Sequence, residues 1–155
     1  QHAMLRLALE DDCWDVMMVG FNLLNQSARQ RVFPKTQAKN IGIMDMFAVR
    51  NALSRPNHFQ KLLAELKGNK QIDPALCDRK DLFGFLTENA KAETIPEAAY
   101  RYCRHEPGID TVLIGTGNVN HLKENVASLM KEPLLQEDRQ RLKEIFGQVD
   151  SVSGN

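Results

Sequence analysis

Three short apolar runs, separated by longer segments, limit most strongly how this chain can fold. They are DVMMVGFN at residues 15–22, IGIMDMF at residues 41–47 and TVLI at residues 111–114. Short, nearly continuous apolar runs are typical of strands that are covered on both faces. Strands joined by helical crossovers pair in parallel. The sequence therefore predicts an α/β chain whose three-stranded parallel sheet has two open edges and is incomplete.

Helical patterns fill the segments around these runs. The opening residues already have helical spacing, and Ser27 is a candidate N-cap for the helix after the first strand. Pro34 is expected to kink or restart that helix. Residues 52–66 predict a helix with one apolar face, which Pro56 restarts.

The second half of the chain carries a clear helix-start signal. Thr94 and Glu97 have the spacing of a capping box and predict the start of a helix that runs to residue 105. Residues 68–78 have the composition of a loop, residues 82–89 indicate another helical piece, and residues 137–146 indicate a last helix. One helix follows the third apolar run, and four of its apolar residues share a side: Val119, Leu122, Val126 and Leu129.

Composition excludes several classes of partner. A length of 155 residues suits a single domain, 1–155, and 20 Lys+Arg balance 20 Asp+Glu along the chain, so we expect no nucleic-acid partner. Cys13, Cys77 and Cys103 are far apart and lack metal-site spacing, so we expect reduced thiols and no metal. No apolar run is long enough to cross a membrane and no leader opens the chain, so we expect a cytoplasmic protein without a membrane partner.

The turn after the third run, GTGNVNHLKENV at residues 115–126, is the clearest candidate for a binding site. Backbone N–H groups at residues 117–120 would be unpaired at a helix start and would point at an anion, and glycines let the backbone approach closely. A dinucleotide fingerprint would need a third glycine where Asn120 stands, and a further strand beyond the helix. A phosphate site of an eight-stranded barrel and a plain strand-to-helix turn both remain open.

Asp45 lies within the second apolar run, where an unpaired carboxylate would be costly. We expect it either to face the mouth of a barrel or to pair with a cation such as Arg50 or Lys39.

The segment TVLIGTGNVNHLKENV resembles the cofactor-binding end of the aldo/keto reductase family, in which the last barrel strand leads through a glycine or serine turn into a helix ending in Glu-Asn. Other segments agree: DVMMVGFNLLNQSA resembles the sixth strand of that family, NIGIMDMF the seventh, and IPEAAYRYCRHEPGIDTVLIGTGN the crossover and eighth strand. The resemblance covers about residues 3–147. It implies a partial (β/α)8 TIM barrel made of the C-terminal three β/α units with parallel strands, from the fifth helix through the eighth strand and last helices.

The resemblance also implies a function. The family moves hydride between NAD(P)H and a small carbonyl or sugar substrate, and its catalytic Asp, Tyr, Lys and His lie on earlier strands, so the partner of this chain would be the N-terminal half of the barrel. Tyr100 and Tyr102 match no catalytic position of the family. We therefore predict an inactive fragment of an NAD(P)-dependent enzyme. Two alternatives remain open: a non-catalytic nucleotide-binding or scaffolding module completed by another chain, and a small doubly wound domain with a phosphate ligand.

By resemblance, the cofactor contacts fall on three parts of the chain. Residues at the turn would hold the phosphate, and residues of the following helix would reach the adenine: Gly115, Thr116 and Gly117, then Glu124 and Asn125. His121 stands at the position that in the family usually supports adenosine or its 2′-phosphate, and Asn118 stands at the neighbouring position that in many members is Arg. Neither is a permanent bidentate cation, so the cofactor is NAD or NADP. Met18 and Met46 stand at the nicotinamide positions, where a methionine can pack against a flat ring.

Overall fold

The computed structural model describes residues 2–77, 81–88 and 91–152. Its strands form one parallel sheet in the order β1-β2-β3: β1 (Val16–Gly20), β2 (Gly42–Met46) and β3 (Thr111–Val112). Val16 pairs with Gly42 and Met44 pairs with Thr111. All three predicted strands are confirmed, and so is the α/β class with parallel pairing.

Helices occupy most of the remaining chain. In order they are α1 (His2–Ala8), α2 (Ala28–Arg31), α3 (Phe33–Ala38), α4 (Asn51–Ser54), α5 (Pro56–Gly68), a 3-10 turn (Pro74–Cys77), α6 (Gly84–Thr87), α7 (Ile95–Arg104), α8 (Val119–Leu129) and α9 (Gln136–Phe146). The 3-10 turn corrects part of the loop predicted at residues 68–78, and α6 confirms a helical piece within residues 82–89. Residues 78 and 89 lie outside the described residues.

The prolines act as the sequence predicts. Pro34 lies in the first turn of α3 and Pro56 in the first turn of α5, where a missing backbone N–H leaves no helical hydrogen bond unmade. The predicted cap at Ser27 is wrong in its chemistry. Ser27 precedes α2, but its hydroxyl donates to Asn25 Oδ1 at 2.6 Å and makes no capping hydrogen bond.

The start of α7 confirms half of the predicted capping box. Thr94 Oγ1 accepts a hydrogen bond from the Glu97 amide at 3.2 Å, whereas the Glu97 carboxylate accepts from the Glu93 amide instead of closing the box on Thr94. The carboxylate is drawn away because it also contacts Arg101 at 3.0 Å and Lys131 at 2.8 Å. Burial alone would raise the pKa of Glu97, but Lys131, the Glu93 amide and Arg101 hold it below its ordinary value.

The two faces of the sheet differ in how they are covered. Met17, Val19 and Ile43 are buried against the helical layer, and their neighbours along the same strands are exposed or half-buried. Met18 is 51% exposed, and Met44 is half-buried. Because side chains alternate along a strand, one face of the sheet is the covered face and the other is the open face. The core therefore lies on one side of the sheet.

Asp45 belongs to the covered face, so the expectation that it faces the mouth of a barrel or pairs with a cation is wrong. Its side chain is fully buried, and Oδ1 accepts from the Phe21 amide at 2.9 Å. Cys103 of α7 lies beside it and donates through Sγ to the Phe21 carbonyl at 3.7 Å. Burial raises the pKa of Asp45 to about 8, although the contacts with Cys103 and Phe21 act in the opposite direction. The carboxyl group is therefore protonated at neutral pH, which avoids a buried charge.

The cations expected near Asp45 are engaged elsewhere. Lys39 Nζ lies 2.6 Å from Asp12 Oδ1, and the Arg50 guanidinium lies over the Phe47 ring at 4.1 Å from its centroid.

Helix α8 is only lightly packed. Its four apolar residues share a side as the sequence predicts, but Val119, Leu122 and Val126 are exposed. Leu129 alone of the four is half-buried against the core. The apolar face of α8 is therefore uncovered within the part of the chain that the structure describes.

Candidate functional site

The turn between β3 and α8 lies at the carboxyl end of the sheet. The Leu113 amide extends the β2–β3 ladder by donating to the Asp45 carbonyl at 2.9 Å, and the chain then leaves the sheet. Gly115, Thr116 and Gly117 are all exposed. In parallel α/β folds, ligands bind at this end of the strands, so the position suits a binding site.

Neither glycine of the turn is required by the fold around it. Among the glycines that the structure describes, only Gly108 has a positive φ, so Gly115 and Gly117 adopt backbone conformations open to other residues. A Cβ built at either position meets no atom within 4 Å among the described residues. Space beside the backbone therefore exists at both positions, and a group that approaches the main chain closely would fill it.

Asn118 caps α8 with its own side chain. Its Oδ1 accepts from the Asn120 amide at 2.8 Å and from the His121 amide at 3.4 Å, which is the usual role of asparagine at this position. Thr116 Oγ1 in turn accepts from the Asn118 amide at 3.1 Å. The expectation that all N–H groups of residues 117–120 are unpaired is therefore wrong for two of them.

Two amides of the turn remain available. The N–H groups of Gly117 and Val119 donate to no atom of residues 2–77, 81–88 or 91–152. They lie at the N-terminus of an eleven-residue helix, where the aligned peptide dipoles favour a negative charge. The turn can thus offer two backbone donors and a positive helix end to an anion.

The other residues predicted to contact the cofactor lie on one side of α8, directly after the turn. Residues three and four apart are neighbours on a helical surface, so His121, Glu124 and Asn125 lie close together. His121 and Glu124 are exposed and Asn125 is half-buried. The structure therefore brings the three residues together as an exposed patch next to the turn.

The two methionines predicted at the nicotinamide lie on the open face of the sheet. Met46 belongs to β2, directly beside β3 and its turn. Met18 belongs to β1 and pairs with Met44, so it is separated from the turn by a whole strand. Both side chains are accessible on the face that the helices leave uncovered.

Both tyrosines are buried on α7, on the covered side of the sheet. Tyr102 stacks on Phe21 with ring centroids 5.7 Å apart, and its hydroxyl accepts from Arg29 Nη2 at 2.9 Å. Burial raises the pKa of Tyr102 and of Tyr100. Both tyrosines therefore belong to the helical layer and not to the open face of the sheet.

The sequence did not predict the ion pair between Arg29 and Glu106, in which Arg29 also donates to the Tyr102 hydroxyl. Arg29 Nη2 also donates to Glu106 Oε2 at 2.6 Å, and the two residues are 77 positions apart. No local pattern connects residues so distant, and only the compact fold shows the pairing. Arg139, on α9, was missed for the same reason, because its surroundings come from three separate helices.

Metal and membrane sites find no support in the described ranges. No group of three or more His, Cys, Asp or Glu side chains is arranged there to hold a metal ion. None of the helices in those ranges combines the length and the apolar character needed to span a bilayer.

Comparisons with known proteins agree with this architecture. Two structures of aldo-keto reductase AKR11C1 from Bacillus halodurans share the fold: the holo form (16% identity, TM-score 0.62) and the apo form (17% identity, TM-score 0.64). Each alignment covers 96% of this chain but only 47% and 48% of the respective structure, so the chain spans about half the length of these relatives. A comparison with curated proteins found no match. The family model described as "Aldo/keto reductase family" matches residues 4–146, and the chain therefore belongs to the aldo/keto reductase family.

Proposed function

We propose that this chain forms the cofactor-binding, C-terminal part of an NAD(P)-dependent aldo/keto reductase, an oxidoreductase that acts on a small carbonyl or sugar. The observation that carries the proposal is the β3–α8 turn, where two glycines leave space beside the backbone and two amides have no partner among the described residues. Family membership and the parallel sheet support the same function. The nicotinamide supplies the hydride when the cofactor is bound, and the chain positions it.

The turn has the right donors for a phosphate group. The amides of Gly117 and Val119 would donate to phosphate oxygens at the positive end of α8. Thr116 Oγ1 already accepts from the Asn118 amide, so its hydroxyl hydrogen is free to point toward the same anion. Glu124 and Asn125 would then contact the adenine further along the helix.

Discrimination between NAD and NADP would depend on the side chains at the start of α8. A 2′-phosphate is held best by a guanidinium, which offers two parallel hydrogen bonds. Asn118 is occupied as the helix cap, and His121 is the other side chain at the predicted position. We infer that the enzyme has weak or no preference for NADP over NAD.

The catalytic residues would come from a second part of the barrel. The open face of the sheet exposes Val16 and Met18, α1 exposes Met4 and Leu7, and α8 exposes Leu122. Apolar side chains that are exposed on one face of a sheet and on the helices beside it are typical of a surface that is covered in a complete fold. The N-terminal half of the barrel would cover it and would supply the Asp, Tyr, Lys and His of the family.

Replacing Gly117 with Val tests the cofactor site. The new side chain finds space in the fold, so α8 should remain folded while the close approach of a phosphate is blocked. We expect the affinity for NADH, followed by fluorescence titration of the enzyme that contains both parts of the barrel, to fall by about tenfold or more.

Gly68→Val is the matched control, because Gly68 ends α5 and a Cβ there also meets no atom within 4 Å. Circular dichroism should show both variants folded. Unchanged NADH affinity in Gly117→Val would contradict the proposal and favour a plain structural turn.

Two further measurements separate the parts of the proposal. The affinities for NAD and NADP should lie within about tenfold of each other, and a larger NADP advantage that is lost on changing Asn118 or His121 would overturn the inference about the 2′-phosphate.

The 155-residue chain alone should show no carbonyl reduction, and turnover by it would contradict the assignment of the tetrad to the other part. Cofactor binding without activity in the complete protein would favour a non-catalytic nucleotide-binding module.

A further inference from the structure

A cavity of about 400 Å³ opens between the helices, away from the β3–α8 turn. It is bordered by α2 and α3 on one side, by the end of α7 on another and by α9 on the third. Arg139 and Lys143 line it from α9, Phe33 and Pro107 provide apolar walls, and Arg29 closes one side. None of its lining residues belongs to the turn or to α8.

The charges around the cavity do not cancel. Arg29 is neutralised by Glu106, because Nε contacts Oε1 at 2.5 Å and Nη2 contacts Oε2 at 2.6 Å. Arg139 and Lys143 are four residues apart on α9 and therefore project to the same side. Neither forms an ion pair with a carboxylate of the described residues. The cavity thus keeps an excess of positive charge.

Nearby acids are already engaged. Glu106 binds Arg29, and Glu144, which borders the adjoining hollow, accepts from Gln140 Nε2 at 2.9 Å. An anion that entered the cavity would therefore meet the cations of α9 without a carboxylate competing for them among these neighbours.

Arg139 also carries a hydrogen-bond donor without an acceptor. Its Nε is buried and bonds to no atom in the described ranges, a condition shared there only by Asp45 Oδ2 among buried side-chain polar atoms. Protonation removes the charge of Asp45, but a guanidinium stays charged at every physiological pH. A buried donor left unpaired destabilises a protein by about 1–3 kcal/mol, so Arg139 keeps unused hydrogen-bonding capacity beside the cavity that it lines.

We propose that this cavity is a binding site for a small-molecule oxyanion, a phosphate or a carboxylate. The oxygens would accept from Arg139 and Lys143, and an apolar portion of the molecule would rest against Phe33 and Pro107. The hydroxyl hydrogen of Tyr102, whose oxygen accepts from Arg29, offers one more donor at the cavity wall. The site does not depend on the cofactor proposal, because the two share no residue.

Nuclear magnetic resonance titration of the purified protein tests the site with two probes, inorganic phosphate and benzoate. We expect saturable amide shifts that map to α3, the end of α7 and α9 with at least one of them. Binding by phosphate alone would identify a phosphate site, and stronger binding by benzoate would identify a carboxylate site with an apolar wall.

Arg139→Gln removes the charge and shortens the side chain while keeping a polar end, and we expect it to weaken binding by about tenfold. Arg104→Gln is the matched control, because Arg104 is an exposed cation on α7 that does not line the cavity, and it should leave the affinity unchanged. Gly117→Val should also retain binding, which separates this site from the cofactor turn. If Arg139→Gln fails to fold, Lys143→Gln replaces it, with an expected loss of about threefold.

Shifts that map to residues 115–121 would overturn the proposal, as would no saturable shift with either probe. An equal loss of affinity in Arg139→Gln and Arg104→Gln would also overturn it, since general charge attraction would then explain the binding.

Discussion

The two faces of the sheet come from the same strands but have different surroundings. Met17 and Met18 are consecutive, identical in chemistry, and 7% and 51% exposed respectively. On the covered face, Val19 and Ile43 are almost completely buried, whereas Val16 on the open face is half exposed. The strands are apolar on both sides although the described residues cover only one. The difference indicates that the open face is suited to a covered environment that the described residues do not provide.

A matched pair of substitutions tests this comparison most strongly. Met17→Ala should lower the free energy of unfolding by about 2–5 kcal/mol, because it removes buried contacts and leaves a cavity. Met18→Ala should lower it by less than about 1 kcal/mol, because its side chain is half exposed in this chain. Urea unfolding of the two variants gives both values. Equal losses would show that the two faces are not different in the way the structure indicates.

The second prediction concerns the acid on the covered face. The free carboxyl of Asp45 in an unfolded chain loses its proton near pH 4, whereas the buried one keeps it up to about pH 8. The unfolded state therefore binds fewer protons across this window, and the free energy of unfolding should fall as pH rises, by about 1.4 kcal/mol per pH unit at its steepest.

Asp45→Asn should remove that contribution, so the variant gains stability relative to the parent between pH 5 and pH 8. Urea unfolding at several pH values measures the difference. Lys39 and Asp12 form an exposed pair, so Asp12→Asn serves as the control and should leave the dependence between pH 5 and pH 8 in place. Parallel stability profiles for the parent and Asp45→Asn would show that the carboxyl is ionised in the folded chain.

The smallest expected effect lies on α8. Leu122 is 45% exposed on the uncovered side of that helix, so Leu122→Gln should change the stability of this chain by less than about 0.5 kcal/mol. Leu142 of α9 is fully buried, and Leu142→Ala is the contrasting variant with an expected cost of about 2–5 kcal/mol. Thermal unfolding distinguishes them. A large loss in Leu122→Gln would show that α8 is packed more firmly than its exposure indicates.

Much of the fold could be predicted because its signals are local. The apolar runs place the strands, and Pro34, Pro56 and Thr94 place helix starts through their own backbone and hydroxyl chemistry. The strand faces could not be assigned in the same way. Around Asp45 the second run is apolar at positions of both parities and has no alternation, so nothing local assigns Asp45 to the helical side.

The candidate site could likewise be predicted only in part. The position of the turn follows from its glycines and the strand before it, but the occupancy of individual donors does not. Asn118 could either bind a ligand or cap its own helix, and only the geometry distinguishes the two. The cluster of Arg29, Tyr102 and Glu106 depends on contacts between residues more than 70 positions apart, which a single sequence does not reveal.

Residue 118 has a structural role as the cap of α8 and is also the position at which a 2′-phosphate would be recognised in the proposed site. In the proposed cofactor site, an arginine introduced at residue 118 to favour the 2′-phosphorylated cofactor would release the amides of Asn120 and His121. Losing an asparagine cap typically weakens a helix by about 1 kcal/mol. Selectivity gained at residue 118 would therefore loosen the same helical turn that is proposed to hold the dinucleotide, so a second substitution that restores the helix start would have to accompany it.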